Sequence, residues 1–468
     1  MTGVRLMGRA LRILVCVCTT LALTTGVAQG AAEPHPHVGK LPGYPAIRGV
    51  VPVLGSKAAV SAHEKLVKGA FAAARSRFAS GLKAAPVANE EFLSECEEEL
   101  LFFSFQYVCY RGGPVLRHPK IHLIFWQGPV NGSGEATTTH VETFSAAYIQ
   151  TVERYFEDVA GDSGTQTNVF AVDPQYGDET GFGEYAVSFE GSETRHEVFP
   201  SKCTDATKFS EGPCLVDLDI QKEVATAAVK TGLEDLYVVL TPPGVGGCFE
   251  ESSTECAYEQ YCAYHSDFGG DGMTPEGQTL YADLPFLGKV AGCDSGVHPN
   301  ALIDNGADAV IDTASHEVNE AITDPIGSQC DEESKKIVGC EKNAWTDVIG
   351  QEVADKCLPP ESTVSGIYGE PLGGSTASTF YNQLIDGHHY WTQREWSNAA
   401  APGGACVQRL VRTQFIPPSG AQATVPATFD GSSSGEGASD PIEYWVWSWG
   451  DGVQTGTFEP TASHTYTT

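Results

Sequence analysis

The feature that most narrows the folds open to this chain is its set of cysteines. There are 14, and two of them, Cys16 and Cys18, fall inside an apolar N-terminal run. The other twelve (14 − 2) are Cys96, Cys109, Cys203, Cys214, Cys248, Cys256, Cys262, Cys293, Cys330, Cys340, Cys357 and Cys406. None of them forms a C-x-x-C pair, which argues against a thiolate zinc site. An even set in an exported chain implies disulfides instead. The spacing suggests loops closed by Cys96 with Cys109, Cys203 with Cys214 and Cys330 with Cys340, and a longer clamp from Cys357 to Cys406. Cys248, Cys256, Cys262 and Cys293 can pair in three ways, and the spacing does not choose.

Export is read from the N-terminus. Arg5, Arg9 and Arg12 precede the apolar run Ile13 to Val27, and small residues follow up to Ala32. That order is a secretory signal over residues 1–31, with cleavage near Gly30 to Ala32. The run is too short for a membrane span, which needs ~20 apolar residues, and no other segment qualifies. The charge is acidic, 28 Lys+Arg against 60 Asp+Glu. Nucleic acids and anionic membranes both need basic patches, so neither is expected as a partner. An acidic solvated surface is the plain explanation, and cation binding a further one.

Residues 32–92 read as a leader or propeptide-like segment, punctuated early by Pro and Gly and then Ala-rich and amphipathic over residues 63–84. Residues 93–414 have the composition of a packed domain. Alternation predicts a strand over residues 120–126 (KIHLIFW). Helical spacing predicts helices over 139–159, 217–233 and 307–323, and short strands are expected over 168–172 and 236–240. The last helix ends at Asp324-Pro325, because a residue before proline avoids helical geometry. Interleaved strands and helices give an α/β or α+β domain with a sizeable core. Pro417-Pro418-Ser419-Gly420 marks a linker, and residues 415–468 alternate in short β-prone pieces.

The chemistry is concentrated in residues 309–325, AVIDTASHEVNEAITDP. Residues four apart on a helix differ by ~40° around its axis, so His316, Glu320 and Asp324 share one stripe. Ile311, Ala314, Val318 and Ile322 lie opposite and face a core. His316-Glu317-x-x-Glu320 has the form of a zincin helix with Glu as the second ligand. An imidazole and a carboxylate on successive turns can converge on one ion, and Glu317 is then placed to take a proton from an attacking water. A solvated polar helix face is the plain rival. His265, close after Cys262, reads as a packed histidine beside a disulfide, with a ligand role as the lesser alternative. His388-His389 falls on a hairpin and reads as structural. Trp345, Trp391 and Trp396 read as core or rim.

The pieces Gly112 to Leu116 (GGPVL), Ile121 to Gly128 (IHLIFWQG), Tyr237 to Thr241 (YVVLT), Tyr261 to Ser266 (YCAYHS), His316 to Pro325 (HEVNEAITDP), Glu352 to Cys357 (EVADKC) and Tyr390 to Asn398 (YWTQREWSN) occur in that order. This order resembles the phosphate-induced/EXORDIUM family of secreted proteins, in a bacterial form, over about residues 111–406. The resemblance implies secretion and a shared fold. Near the C-terminus, Phe429 to Ser434 (FDGSSS), Tyr444 to Gly452 (YWVWSWGDG) and His464 to Tyr466 (HTY) resemble a PKD repeat domain, an Ig-like β-sandwich. It is expected here in truncated form, because such a domain needs a strand after its HTY piece.

These readings lead to one expectation. The main domain is a zincin-like α/β or α+β fold with several disulfides. It would carry zinc, or another divalent metal, on His316, Glu320 and Glu352. Glu352 is taken as third ligand because it lies downstream past a disulfide-sized loop, as in Glu-type zincins; Asp355 and Asp324 are the alternatives. Glu317 is the catalytic base, and the substrate an extracellular protein or peptide. The alternative is a non-enzymatic signalling or wall-associated protein with a structural metal site or none.

Overall fold

A computed structural model describes residues 4–6, 48–52, 107–203, 211–269, 278–326, 343–358, 364–410 and 423–466, with shorter gaps inside these ranges. The chain divides into two compact units. One comprises residues 45–398 with 406–410, the other residues 1–44, 399–405 and 411–468. The expected signal cleavage region, the Ala-rich stretch of the leader, and Cys96, Cys330 and Cys340 lie outside the described residues.

The larger unit is mixed α/β, built on a six-stranded sheet. In chain order its elements are β1 (Arg48–Pro52), β2 (Lys120–Trp126), α1 (Ala146–Gly161), β3 (Ser188–Arg195), α2 (Asp217–Ala227), β4 (Asp235–Leu240), β5 (Tyr261–Gly269), β6 (Gln278–Leu284) and α3 (Asn305–Thr323). The strands lie side by side as β1-β5-β6-β4-β2-β3. The run β6-β4-β2-β3 is parallel, whereas β5 is antiparallel to β6 and β1 antiparallel to β5. The leader expected over residues 32–92 therefore contributes an edge strand to the main sheet.

Helices cover both faces, which is why β4 (DLYVVL) is buried along its whole length and reads as a continuous apolar run. Successive strand residues point to opposite faces. On β5, the Tyr264 hydroxyl reaches Asp217 at the start of α2, while the next residue, His265, reaches Glu317 on α3. α2 and α3 thus lie on opposite sides of the sheet.

The segment expected as a strand over residues 168–172 is instead a 3₁₀ helix, Val169–Gln175. Asn168 starts it by accepting a hydrogen bond from the Phe170 amide, the local side-chain capping that competes with a strand ladder. The expected hairpin is present: β7 (Gln383–Ile385) pairs with β8 (His388–Tyr390) across Asp386-Gly387, both at positive φ, as the tightest hairpin turns require. His388 pairs with Asp158 and His389 stacks on Tyr381.

Among the described residues, four disulfides join Cys203 to Cys214, Cys248 to Cys256, Cys262 to Cys293 and Cys357 to Cys406. They resolve the three-way ambiguity among the central four cysteines. Cys109 is bonded as well. Among the described residues no helix is long and apolar enough to cross a membrane.

In the smaller unit, β9 (Ala427–Asp430) pairs with β12 (Thr461–His464), and β10 (Trp445–Ser448) with β11 (Gln454–Thr457). The segment Val4–Leu6 adds antiparallel to β10. Phe429, Trp445, Trp447, Trp449 and Ala462 form one small core.

One buried acid should set a pH dependence of stability. Asp283 on β6 is buried, and its Oδ1 has no hydrogen-bond partner among the described residues. Burial first, and then the charge of Asp217, push its carboxyl up to about 8. Between the ordinary carboxylate range and about 8 the folded chain keeps this proton while the unfolded chain loses it. Stability therefore falls as pH rises through that window. Asp283→Asn should flatten the fall by up to ~1.4 kcal/mol per pH unit. Urea midpoints of both proteins at pH 5 and pH 7.5 test this, and parallel losses would count against it.

Candidate metal centre

α3 begins at Asp304, whose side chain accepts from the Gly306 amide, and ends at Asp324, ahead of Pro325. The helix is not amphipathic towards water. His316, Glu317, Asn319, Glu320 and Asp324 are as buried as Ile311, Ala314, Val318 and Ile322 on the expected core face. A solvated polar face is therefore ruled out. The polar stripe packs against β5 and against the segment 351–358, which carries a single 3₁₀ turn (Asp355–Cys357). That segment is held in place by the Cys357–Cys406 disulfide and by the buried Lys356–Asp347 ion pair at 3.2 Å.

His316 is fixed at both ring nitrogens. Its Nδ1 lies 3.1 Å from Gln393 Oε1, while Gln393 Nε2 donates to the Ala354 carbonyl. The amide orientation is thereby set, so Oε1 must accept and His316 Nδ1 must carry a proton. Nε2 is left facing Glu320 Oε1 at 3.1 Å and Asp355 Oδ1 at 3.8 Å. Gln393 is steadied by its own amide donating to Asp312, which also accepts from the Tyr368 hydroxyl. Outer contacts of this kind are what fix the tautomer of a histidine that is to bind a metal.

Glu320 is the hub. Its Oε1 accepts from the Asp355 amide at 2.9 Å, and its Oε2 has no hydrogen-bond partner among the described residues. On the other side stands His265, which the sequence reading placed as a packed structural residue. It occupies the middle of the cluster: Nδ1 lies 3.1 Å from Glu317 Oε2 and 3.9 Å from Glu320 Oε2, and Nε2 lies 3.7 Å from Glu352 Oε1.

Two groups consequently have ligand atoms within 4.8 Å of one another: His316, Glu320 and Asp355, and His265, Glu317 and Glu320. Of the expected ligands, His316 and Glu320 come together. The third carboxylate beside them is Asp355, and Glu352 lies next to His265. Asp324 serves as a tie, its Oδ1 accepting from the Ala344 amide at 2.5 Å. Cys203, Cys214 and Cys248 also cluster, but their sulfurs are committed to disulfides.

The electrostatics show the strain of this arrangement. Burial tends to lower the His316 pKa, but Glu320, Asp355 and the bond to Gln393 outweigh it and push it up to about 9. Burial, then the charges of Glu320 and Asp355, hold Glu317 well above the usual carboxylate range. Asp355 is raised by burial and by Glu320. Glu320 is also pushed upward by burial, yet His316 and His265 bring it below its ordinary value. Glu395, missed in the sequence, is buried nearby with neither carboxylate oxygen hydrogen-bonded among the described residues, and its pKa is strongly raised by burial.

So many carboxylates in a dry interior must take up protons or share a cation. The donors fit a divalent ion: imidazole nitrogen and carboxylate oxygens, with no thiolate. Asp355, 21% exposed at its side chain, is the member that reaches solvent. Comparison with protein-family models, with curated proteins and with solved structures finds no match for this chain.

Proposed function

We propose that this chain is a secreted metal-dependent hydrolase acting on peptide bonds. The single observation that carries the reading is the Gln393–His316 contact, which aims His316 Nε2 at Glu320 and Asp355 inside an otherwise dry acidic cluster. A divalent ion bound there would supply Lewis acidity, polarising a carbonyl and lowering the pKa of a water molecule. His316, Glu320 and Asp355 would hold it. Glu317, adjacent on the helix, would accept the proton of the attacking water and pass it to the leaving amine. His265, in contact with Glu317, would position that carboxylate. Zinc suits the imidazole, and the carboxylate-rich set also admits manganese or calcium. Export is supported by the disulfides, by the N-terminal sequence and by the EXORDIUM-like order of motifs. The strands of the smaller unit are read as part of a PKD-type module, a spacer or adhesion element.

A second reading has its own observation. Glu320 belongs to both ligand groups, one oxygen toward each histidine. Two ions bridged by Glu320 would make Glu317 a ligand.

Elemental analysis of the purified protein decides first. About one equivalent of zinc, lost in His316→Ala, is expected of a single site with protein ligands on one ion. Two equivalents would favour the bridged centre. No divalent metal on purification, and no saturable uptake of zinc or manganese by calorimetry, would overturn both. Metal without cleavage across a wide peptide panel would favour the signalling or wall-associated alternative.

A further inference from the structure

We propose that a calcium ion binds in the cleft between the first turn of α2 and the carboxyl ends of β4 and β6, held by Asp283 and Asp217. The place is separate from the candidate metal centre. Asp283 pairs with Tyr264 across the β5–β6 ladder, so the two side chains share one face of the sheet, and the Tyr264 hydroxyl reaches Asp217 on α2. α3 and its histidine and carboxylates lie on the opposite face.

The cleft has defined walls. Asp217, Thr241, Gly247, Tyr261 and Asp283 line it. Thr241 directly follows β4, and Asp283 is the last residue but one of β6, which runs parallel to β4. The cleft therefore opens at the carboxyl ends of parallel strands, where open α/β sheets bind their ligands. Its far wall is the parallel pair of Cys214–Val216 with Gly246–Cys248, clamped by the Cys203–Cys214 and Cys248–Cys256 disulfides. A Cβ at Gly247 would stand 3.2 Å from the Tyr261 hydroxyl, so the main chain comes close to the lining here.

The two carboxylates have unequal surroundings. Asp217 Oδ1 accepts from the Tyr264 and Tyr281 hydroxyls, and its Oδ2 from the Gln221 amide. These donors fix its orientation and leave a lone pair on Oδ2. Asp283 is only 4% exposed, and its Oδ1 has no hydrogen-bond partner among the described residues. None of the described residues lining the cleft is basic. A buried carboxylate without a donor is costly, and a cation removes the cost. Asp217 and Asp219, in the first turn of α2, also offset the positive end of that helix, which would otherwise oppose a cation.

The donors select the ion. They are all oxygens, from two carboxylates, the Thr241 hydroxyl and the main chain, a set that suits a hard cation rather than zinc. Magnesium keeps several of its waters, for which this small cleft has little room. Calcium sheds water more readily, accepts irregular geometry and takes a carboxylate through both oxygens.

The test uses the full chain after dialysis against EGTA. Terbium replaces calcium at oxygen sites and emits when nearby tyrosines are excited, and Tyr264 and Tyr281 both touch Asp217. Tyrosine-excited emission should saturate with added terbium, and calcium should displace it. The melting temperature should rise with calcium, because the ion binds only the folded chain. Asp283→Asn keeps the shape of the side chain and removes its charge, and should weaken calcium at least ~10-fold, since affinity follows the number of charged ligands. Glu320→Gln, at the candidate metal centre, should leave calcium affinity unchanged. If Asp283→Asn loses its native disulfides, Asp283→Ser takes its place. No calcium-dependent rise in melting temperature up to ~10 mM, above the range of extracellular calcium modules, overturns the proposal. So does calcium binding that survives the loss of the Asp283 carboxylate, or that Glu320→Gln abolishes.

Discussion

Glu317→Gln should leave the bound metal in place and cut peptide turnover by ~100-fold or more, the scale expected when a general base is lost. The substitution keeps the length and the hydrogen-bonding capacity of the side chain, so the contact with His265 can persist. It removes the capacity to take a proton. His316→Ala should instead lose metal and turnover together, because Nε2 faces both Glu320 and Asp355. The measurement pairs metal content with hydrolysis of casein. If Glu317→Gln empties the site as fully as His316→Ala, Glu317 is a ligand and the bridged centre is the better description.

A comparable loss should separate Asp355 from Glu352. Asp355 shares a ligand group with His316 and Glu320, and its amide also holds Glu320 Oε1, whereas Glu352 stands 3.7 Å from His265 Nε2. Asp355→Ala should weaken metal binding beyond the ~10–100-fold range typical of outer-shell partners, and Glu352→Ala should fall inside that range. Gln393→Ala, which frees His316 Nδ1 from its acceptor, should also fall inside it. Competitive titration with a zinc chelator reads all three. If the order of Asp355 and Glu352 is reversed, the downstream ligand is Glu352, as the motif spacing suggests.

What the sequence could and could not show follows from the range of each signal. His316, Glu317 and Glu320 are legible because helical periodicity places residues four apart on one face. Periodicity says nothing of what the face meets, and so a solvated stripe stood as a fair rival to a buried one. His265 and Gln393 lie 51 and 77 residues from His316 in the chain (316 − 265 and 393 − 316) and are joined to it only through the sheet and the downstream loop. Glu395 carries no motif at all; only its burial reveals it. The strand over residues 120–126 was plain from its alternation, whereas 168–172 misled because the Asn168 cap outweighs the β-branched residues after it. The leader's strand was invisible, since five residues rich in Gly, Val and Pro have no pattern of their own and become a strand only when β5 offers its edge.

The Cys357–Cys406 bridge has a consequence for the order in which the protein matures. It anchors Cys357, two residues after Asp355, whose amide donates to Glu320 Oε1, so a chain with reduced thiols lacks that brace beside the cluster. If the cluster takes an ion as proposed, oxidation comes first and ion capture second. On the metal-dependent reading, a chain whose thiols were still reduced would hold an ion poorly, and competence to take one up would follow closure of the bridge.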